Sequence, residues 1–215
     1  MSRPALADPS GDLSRFPRWR LGPQRLVYRA HRRERGPWWF ASGSAGRFDL
    51  ESPRGTCYLA ATPEAAFRER WGRKLADQRV ITASEADETV VSTLHVPQRV
   101  ALADMRSRRA VDFGVTREIS TIVPYAKRQA WAGALADAGH GGIRYDARFS
   151  TAPSAVSYAV FGDGGAAAGA SDATPTSGRG AAEAAHVLVV NIPAVTAISI
   201  LDPSDQDRRD QRDPA

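Results

Sequence analysis

Between Tyr28 and Glu69, single polar residues punctuate a run that is otherwise apolar or rich in glycine: Arg29, then Gly46-Arg47-Phe48, then Tyr58, then Glu69. Arginine presents a planar fork of donors that matches phosphate oxygens in pairs. An aromatic face attracts a cationic ring, and a carboxylate steadies positive charge developing on a sugar. Together these groups suit a nucleotide carrying both a diphosphate and a pyridinium, as NAD does. Each residue also has a plainer reading. Glu69 pairs readily with Arg70 or Arg73 on an exposed helix, Arg29 beside Arg32 is ordinarily solvated, Tyr58 in a strand is ordinarily core, and Arg47 in a glycine-rich loop is ordinarily a surface charge.

The elements that must position these residues follow from local pattern. Arg25 to Ala30 alternates as a half-buried strand, and residues 36 to 46 form a glycine-rich loop that carries Trp38, Trp39 and Phe40. Thr56 to Ala60 is a second short strand. A helix starts at Thr62-Pro63-Glu64, with Thr62 as cap and Pro63 in the first turn, and runs to about Trp71. Ala65, Ala66 and Glu69 fall on one face of it, so Glu69 is expected to point inward. Thr89 to Val96, Val100 to Asp104, Gly142 to Tyr145 and Ser157 to Phe161 read as strands, and Tyr125 to Ala138 as a helix closed by Gly139.

The flanks read differently. Residues 1 to 24 are expected to be an N-terminal arm, with folding starting at Arg25. Residues 162 to 184, almost wholly Gly, Ala, Ser, Thr and Pro, are expected to be a flexible insertion. His186 to Asn191 and Val195 to Leu201 resume strand character, and residues 202 to 215 form a charged tail. The irregular succession of strands and helices favours an α+β domain, spanning 25 to 201, over a doubly wound sheet.

Composition narrows the function. The 215 residues suit one folded unit. The longest apolar runs, near Val187 and Thr196, fall well short of the roughly 20 residues of a membrane helix. The first residues show no apolar segment of a secretory signal, so the expected location is cytoplasmic. The net charge of +5 is almost all arginine, with acids beside the basic runs and no interleaved aromatics, which argues against direct nucleic-acid binding. Cys57 is solitary and the four histidines are scattered, so neither a disulfide nor a metal site is expected.

The segments Tyr28-Arg29, Gly46-Arg47-Phe48-Asp49, Cys57-Tyr58-Leu59-Ala60, Ala66-Phe67-Arg68-Glu69 and Gly142-Ile143-Arg144-Tyr145 resemble, in this order, the RES domain. The likeness spans roughly Arg25 to Phe161. It implies a split, mixed sheet related to ADP-ribosylating toxins, and the toxin half of a toxin–antitoxin pair that depletes NAD. It further implies an Xre-type antitoxin as partner, with nucleic acid engaged only indirectly through it. By the same likeness Glu69, Arg47 and Tyr58 are catalytic, and Tyr28, Arg29, Arg47 and Tyr58 bind NAD, which is the substrate rather than a cofactor. The serine of the family name falls on Ala147, so Ser150, Ser154 or Thr121 is expected to replace it, and Asp49 stands where the family has an amide.

The chemistry implied is cleavage of the nicotinamide–ribose bond, with Glu69 stabilising the oxocarbenium-like sugar and water or phosphate as acceptor. Transfer of ADP-ribose to a protein is the alternative within enzymes. A catalytically idle binding module is the alternative outside them.

Overall fold

The computed structural model describes residues 6–191 apart from 44, 124, 151, 153, 170 and 173. In chain order the elements are β1 (Arg18–Leu21), β2 (Leu26–Arg32), β3 (Trp39–Phe40), β4 (Arg54–Ala60), α1 (Pro63–Gln78), β5 (Val80–Thr82), α2 (Ala83–Asp87), β6 (Thr89–His95), β7 (Val100–Asp104), α3 (Ala126–Asp137), β8 (Gly142–Asp146), β9 (Val156–Asp163), β10 (Gly165–Ala166), β11 (Thr176–Ser177), α4 (Gly178–Ala184) and β12 (Leu188–Val190). Eight strands form one sheet in the order β1-β7-β8-β9-β4-β2-β6-β11, parallel only between β7 and β8. The fold is α+β with a mixed sheet, as the pattern suggested.

That sheet is split in the middle. β4 pairs with β9 along its whole length, and β2 pairs with β6 along its whole length. Between β2 and β4, however, only Tyr28 and Ala60 face each other in register. The two halves therefore diverge on either side of one point, and the cleft opens there.

Strand alternation sorts the core into two faces. Val27, Cys57, Leu59, Val156, Tyr158 and Val160 pack with Leu21, Trp38 and Phe40 on one side. On the other side Tyr58, Ile143, Tyr145 and Ala159 meet Trp131 and Leu135 of α3, while Tyr28, Ala30 and Ala60 meet Ala66 and Phe67 of α1 and Ala182 of α4. The cleft lies on this second face, between the α3 cluster and the α1–α4 cluster. Thr62 caps α1 by accepting from Ala65 N at 3.1 Å, as its type predicts. The helix continues past Trp71 to Gln78 and ends at Arg79 in the left-handed region.

Two expectations about the flanks are corrected. Within the expected arm, β1 pairs with β7 at the sheet edge, and Leu6, Leu13, Phe16 and Leu21 are buried. Prolines and charges interrupt these apolar residues, which hid a period too short to stand out. The expected flexible insertion extends β9 to Asp163 and supplies β10, β11 and α4, with Ala181 and Ala182 buried. Its small residues let backbones approach closely: a Cβ at Gly178 would lie 2.1 Å from the Ala86 carbonyl oxygen. The strand expected at Val195 to Leu201 and the tail at 202 to 215 lie outside the described residues. Among the described residues no helix is long and apolar enough to cross a membrane.

Two histidines are buried. His31 sits between Ser92 Oγ (3.0 Å) and the Arg32 carbonyl (2.8 Å), and His140 Nε2 donates to the Leu13 carbonyl at 3.0 Å. Burial pushes both below the ordinary imidazole range. The unfolded chain then takes up protons more readily than the folded one, so this contribution to stability is present above the ordinary histidine pKa and is lost as pH falls toward the lowered value. His140→Gln is expected to flatten the loss of urea midpoint between pH 7.5 and 5.5. An equal slope in both proteins would contradict the assignment.

Candidate active site

A tight turn, Gly46 to Asp49, presents Arg47 to the cleft. Asp49 Oδ2 accepts from Gly46 N at 2.7 Å, and Asp49 Oδ1 accepts from the Tyr58 hydroxyl at 2.8 Å. That hydroxyl in turn accepts from Phe48 N at 2.8 Å, and Gln129 Nε2 of α3 donates to the Gly46 carbonyl at 2.9 Å. A Cβ at Gly46 would lie 2.1 Å from Asp49 Oδ1 and 2.5 Å from the Tyr58 hydroxyl, so only glycine fits. Phe48 anchors the turn below, its ring 4.8 Å from that of Tyr145. Burial pushes the Tyr58 phenol well above its ordinary value, and burial likewise raises Asp49 against the bonds from Tyr58 and Gly46. The Tyr58 hydroxyl is thus engaged on the turn, while the residue also borders the cavity.

Glu69 comes from the inward face of α1. Its Oε1 accepts from the backbone N–H groups of Arg148 (2.6 Å) and Phe149 (3.0 Å), which fixes the loop after β8. Its Oε2 forms an ion pair with Arg47 Nη2, with only 14% of the Glu69 side chain and 11% of the Arg47 side chain exposed. The Arg47 guanidinium also lies over the Tyr145 ring at 5.5 Å. Gly72, one turn beyond Glu69, leaves room for Phe149, whose ring a Cβ there would meet at 1.9 Å.

Around this pair lies a cavity of about 590 Å³, bordered by Tyr28, Arg29, Arg47, Tyr58 and Glu69, the five residues that the resemblance assigned to catalysis and NAD binding. Arg29 is also structural: its Nη1 donates to the carbonyls of Pro37 and Trp39, both at 2.7 Å, beside Cys57 Sγ at 2.8 Å. It ties the 37–39 loop to the opening between β2 and β4. Residues that sequence reasoning missed complete the wall: Arg70, Arg73, Tyr125, Tyr145, Phe149 and Ser157. Arg70 and Arg73 were read only as surface partners of Glu69. Instead Arg73 donates to the Tyr125 hydroxyl at 3.1 Å, and Arg70 is held below the ordinary guanidinium range by burial first and by Arg32 and Arg29 next. Their helical spacing from Glu69 was the available signal.

Four arginines thus face two carboxylates, Asp49 and Glu69, and the cavity suits an anion. Behind the Tyr125 wall Arg128 is fully buried, its Nη2 donating to the Ile122 carbonyl while Nε and Nη1 meet no partner among the described residues. Burial, then Arg47, lowers it to about 10. The hydroxyls expected to replace the serine at Ala147 do not reach the cavity. Thr121 and Ser154 are exposed, Ser150 accepts from Ala152 N at 3.4 Å, and none of the three borders it. Among the described residues no cluster of His, Cys, Asp and Glu is placed to hold a metal ion.

Tyr58→Phe keeps the packing but removes two hydrogen bonds and leaves Asp49 short of a donor. It is expected to cost about 1–3 kcal/mol, read from urea unfolding. An unchanged midpoint would show that the turn does not depend on this hydroxyl.

Comparison with known proteins agrees with this architecture. A chain of the crystal structure of the M. tuberculosis MbcT–MbcA toxin–antitoxin complex superposes with a TM-score of 0.57 at 15% identity, over 78% of this chain and 92% of that one. At that identity the likeness is one of fold. No curated protein matches the sequence. The family profile of the RES domain matches residues 26–182, which include every residue bordering the cavity. This chain belongs to the RES-domain family.

Proposed function

We infer that the protein is a RES-type toxin that degrades NAD by breaking the nicotinamide–ribose bond, and that an Xre-type antitoxin restrains it in the cytoplasm. The observation carrying this reading is the Arg47–Glu69 pair inside an arginine-lined cavity at the split of the sheet. Arg47, Arg70 and Arg73 supply donors for a diphosphate, and Arg29 borders the same cavity. As the diphosphate arrives, it offers Arg47 a new acceptor and releases one oxygen of Glu69 toward the sugar. The other oxygen stays on the Arg148 and Phe149 amides, so the carboxylate is turned toward the reacting carbon without losing its anchor. The aromatic groups Tyr58, Tyr145 and Phe149 border the same space and suit the nicotinamide ring.

Bond breaking leaves a neutral nicotinamide and an oxocarbenium-like ribose, whose charge Glu69 stabilises until the acceptor attacks. The acceptor is water or phosphate. Transfer of ADP-ribose to a protein side chain would use the same Glu69. An antitoxin is supported by the toxin–antitoxin complex in which the structural neighbour occurs. A protein segment lodged in the preformed mouth of the cavity would suffice to exclude NAD.

The test is nicotinamide release from NAD by the purified protein, with and without phosphate and with and without protein acceptors. Glu69→Gln keeps an oxygen for the two loop amides and is expected to lower release about 10²- to 10³-fold with unchanged circular dichroism. Wild-type turnover in that variant would remove Glu69 from the mechanism. Gly72→Ala is expected to push Phe149 out of its seat and raise KM for NAD about tenfold or more, because a substitution distant from the chemistry displaces its wall. An unchanged KM would show that Phe149 does not shape the site.

A further inference from the structure

Ser157 is 1% exposed and sits in β9 between two strands that both contribute to the cavity. It faces Ala60 of β4 on one side and Tyr145 of β8 on the other, so its side chain shares the helix-covered face with theirs. Its hydroxyl approaches the Tyr145 phenol closely enough to offset part of the upward push that burial gives that group, yet neither Tyr145 nor any other described residue meets Oγ in hydrogen-bond geometry. A buried hydroxyl without a partner is costly and rare in a well-packed sheet, where valine or alanine would serve better. Ser157 is also among the residues that border the cavity.

Neighbouring contacts locate it relative to the chemistry. Ser157 is opposite Tyr145, Tyr145 lies under the Arg47 guanidinium, and Arg47 holds Glu69. Ser157 therefore lies toward the Arg47–Glu69 end of the cavity. Resting on the NAD reading above, we propose that Ser157 contacts the substrate, its hydroxyl forming a hydrogen bond with a hydroxyl of the ribose whose bond to nicotinamide breaks. A ribose hydroxyl both donates and accepts, and so satisfies a serine whatever its rotor state. Thr121, Ser150 and Ser154, the hydroxyls outside the cavity, have no part in this contact.

The experiment measures nicotinamide release by wild type, Ser157→Ala and Ser154→Ala on NAD and on analogues lacking the 2′- or the 3′-hydroxyl of the nicotinamide ribose. With NAD, Ser157→Ala is expected to lower kcat/KM about ten- to hundredfold. Its thermal midpoint should be unchanged or higher, since an unsatisfied buried group is removed. On one of the two analogues the penalty should shrink to near unity, because the partner hydroxyl is already gone. Ser154→Ala should match wild type throughout. Wild-type turnover of NAD by Ser157→Ala, or a loss equally large on NAD and both analogues, would overturn the assignment while leaving the NAD reading in place. Absence of nicotinamide release by wild type itself would overturn the NAD reading and this assignment together.

Discussion

Arg47 and Glu69 reach each other from two separately held pieces of backbone, and the rest of the site depends on their meeting. Arg47 is carried by a turn that Asp49, Tyr58 and Gln129 hold from three directions. Glu69 is carried by a helix and is itself the clasp for the 148–149 loop. Nearly buried ions are expensive to desolvate, and such a pair persists only where hydrogen bonds satisfy the remaining valences. The two loop amides do this for the carboxylate, and the Tyr145 face does part of it for the guanidinium. The pair is therefore weak evidence for stability and stronger evidence for a site that must be charged.

The split in the sheet explains why there is a cavity at all. A continuous sheet would pair β2 with β4 throughout and close the space between them, but one register pair lets the strands diverge. Divergence exposes backbone groups that need partners. Arg29 of β2 bonds the Pro37 and Trp39 carbonyls and so ties that loop beside the opening; a residue that looks like a pure ligand group also has a structural task. Small residues do the same by omission: Gly46 makes room for Asp49 and Tyr58, and Gly72 makes room for Phe149.

Much of the site was legible in the sequence because its members keep strong local signatures. Thr62-Pro63-Glu64 marks a helix start, and three-and-four spacing then turns Glu69 inward toward the cleft. Arg47 and Tyr58 were recognisable by type, but the Tyr58 hydroxyl binds the turn, a contact set by the strand-to-loop geometry that no spacing encodes. Arg70 and Arg73 were read as surface partners of Glu69 because charges on helices are common; only tertiary contacts, Arg73 with Tyr125 and Arg70 with Thr89, place them in the wall. Ser157 escaped because a serine in an apolar strand carries no motif; its meaning comes from facing Tyr145 of the neighbouring β8. The glycine- and alanine-rich stretch after β9 was misread because composition reports how little apolar area is present. It does not report how closely small residues allow α4 to approach α2.

The most direct measurement is a crystal structure of the Glu69→Gln variant with intact NAD. The diphosphate should lie on Arg47 and Arg70, with residue 69 within hydrogen-bond reach of the nicotinamide ribose and that ribose beside Tyr145. Dinucleotide bound outside the split of the sheet, or a diphosphate that makes no contact with Arg47, would contradict the assignment of this cavity as the NAD site.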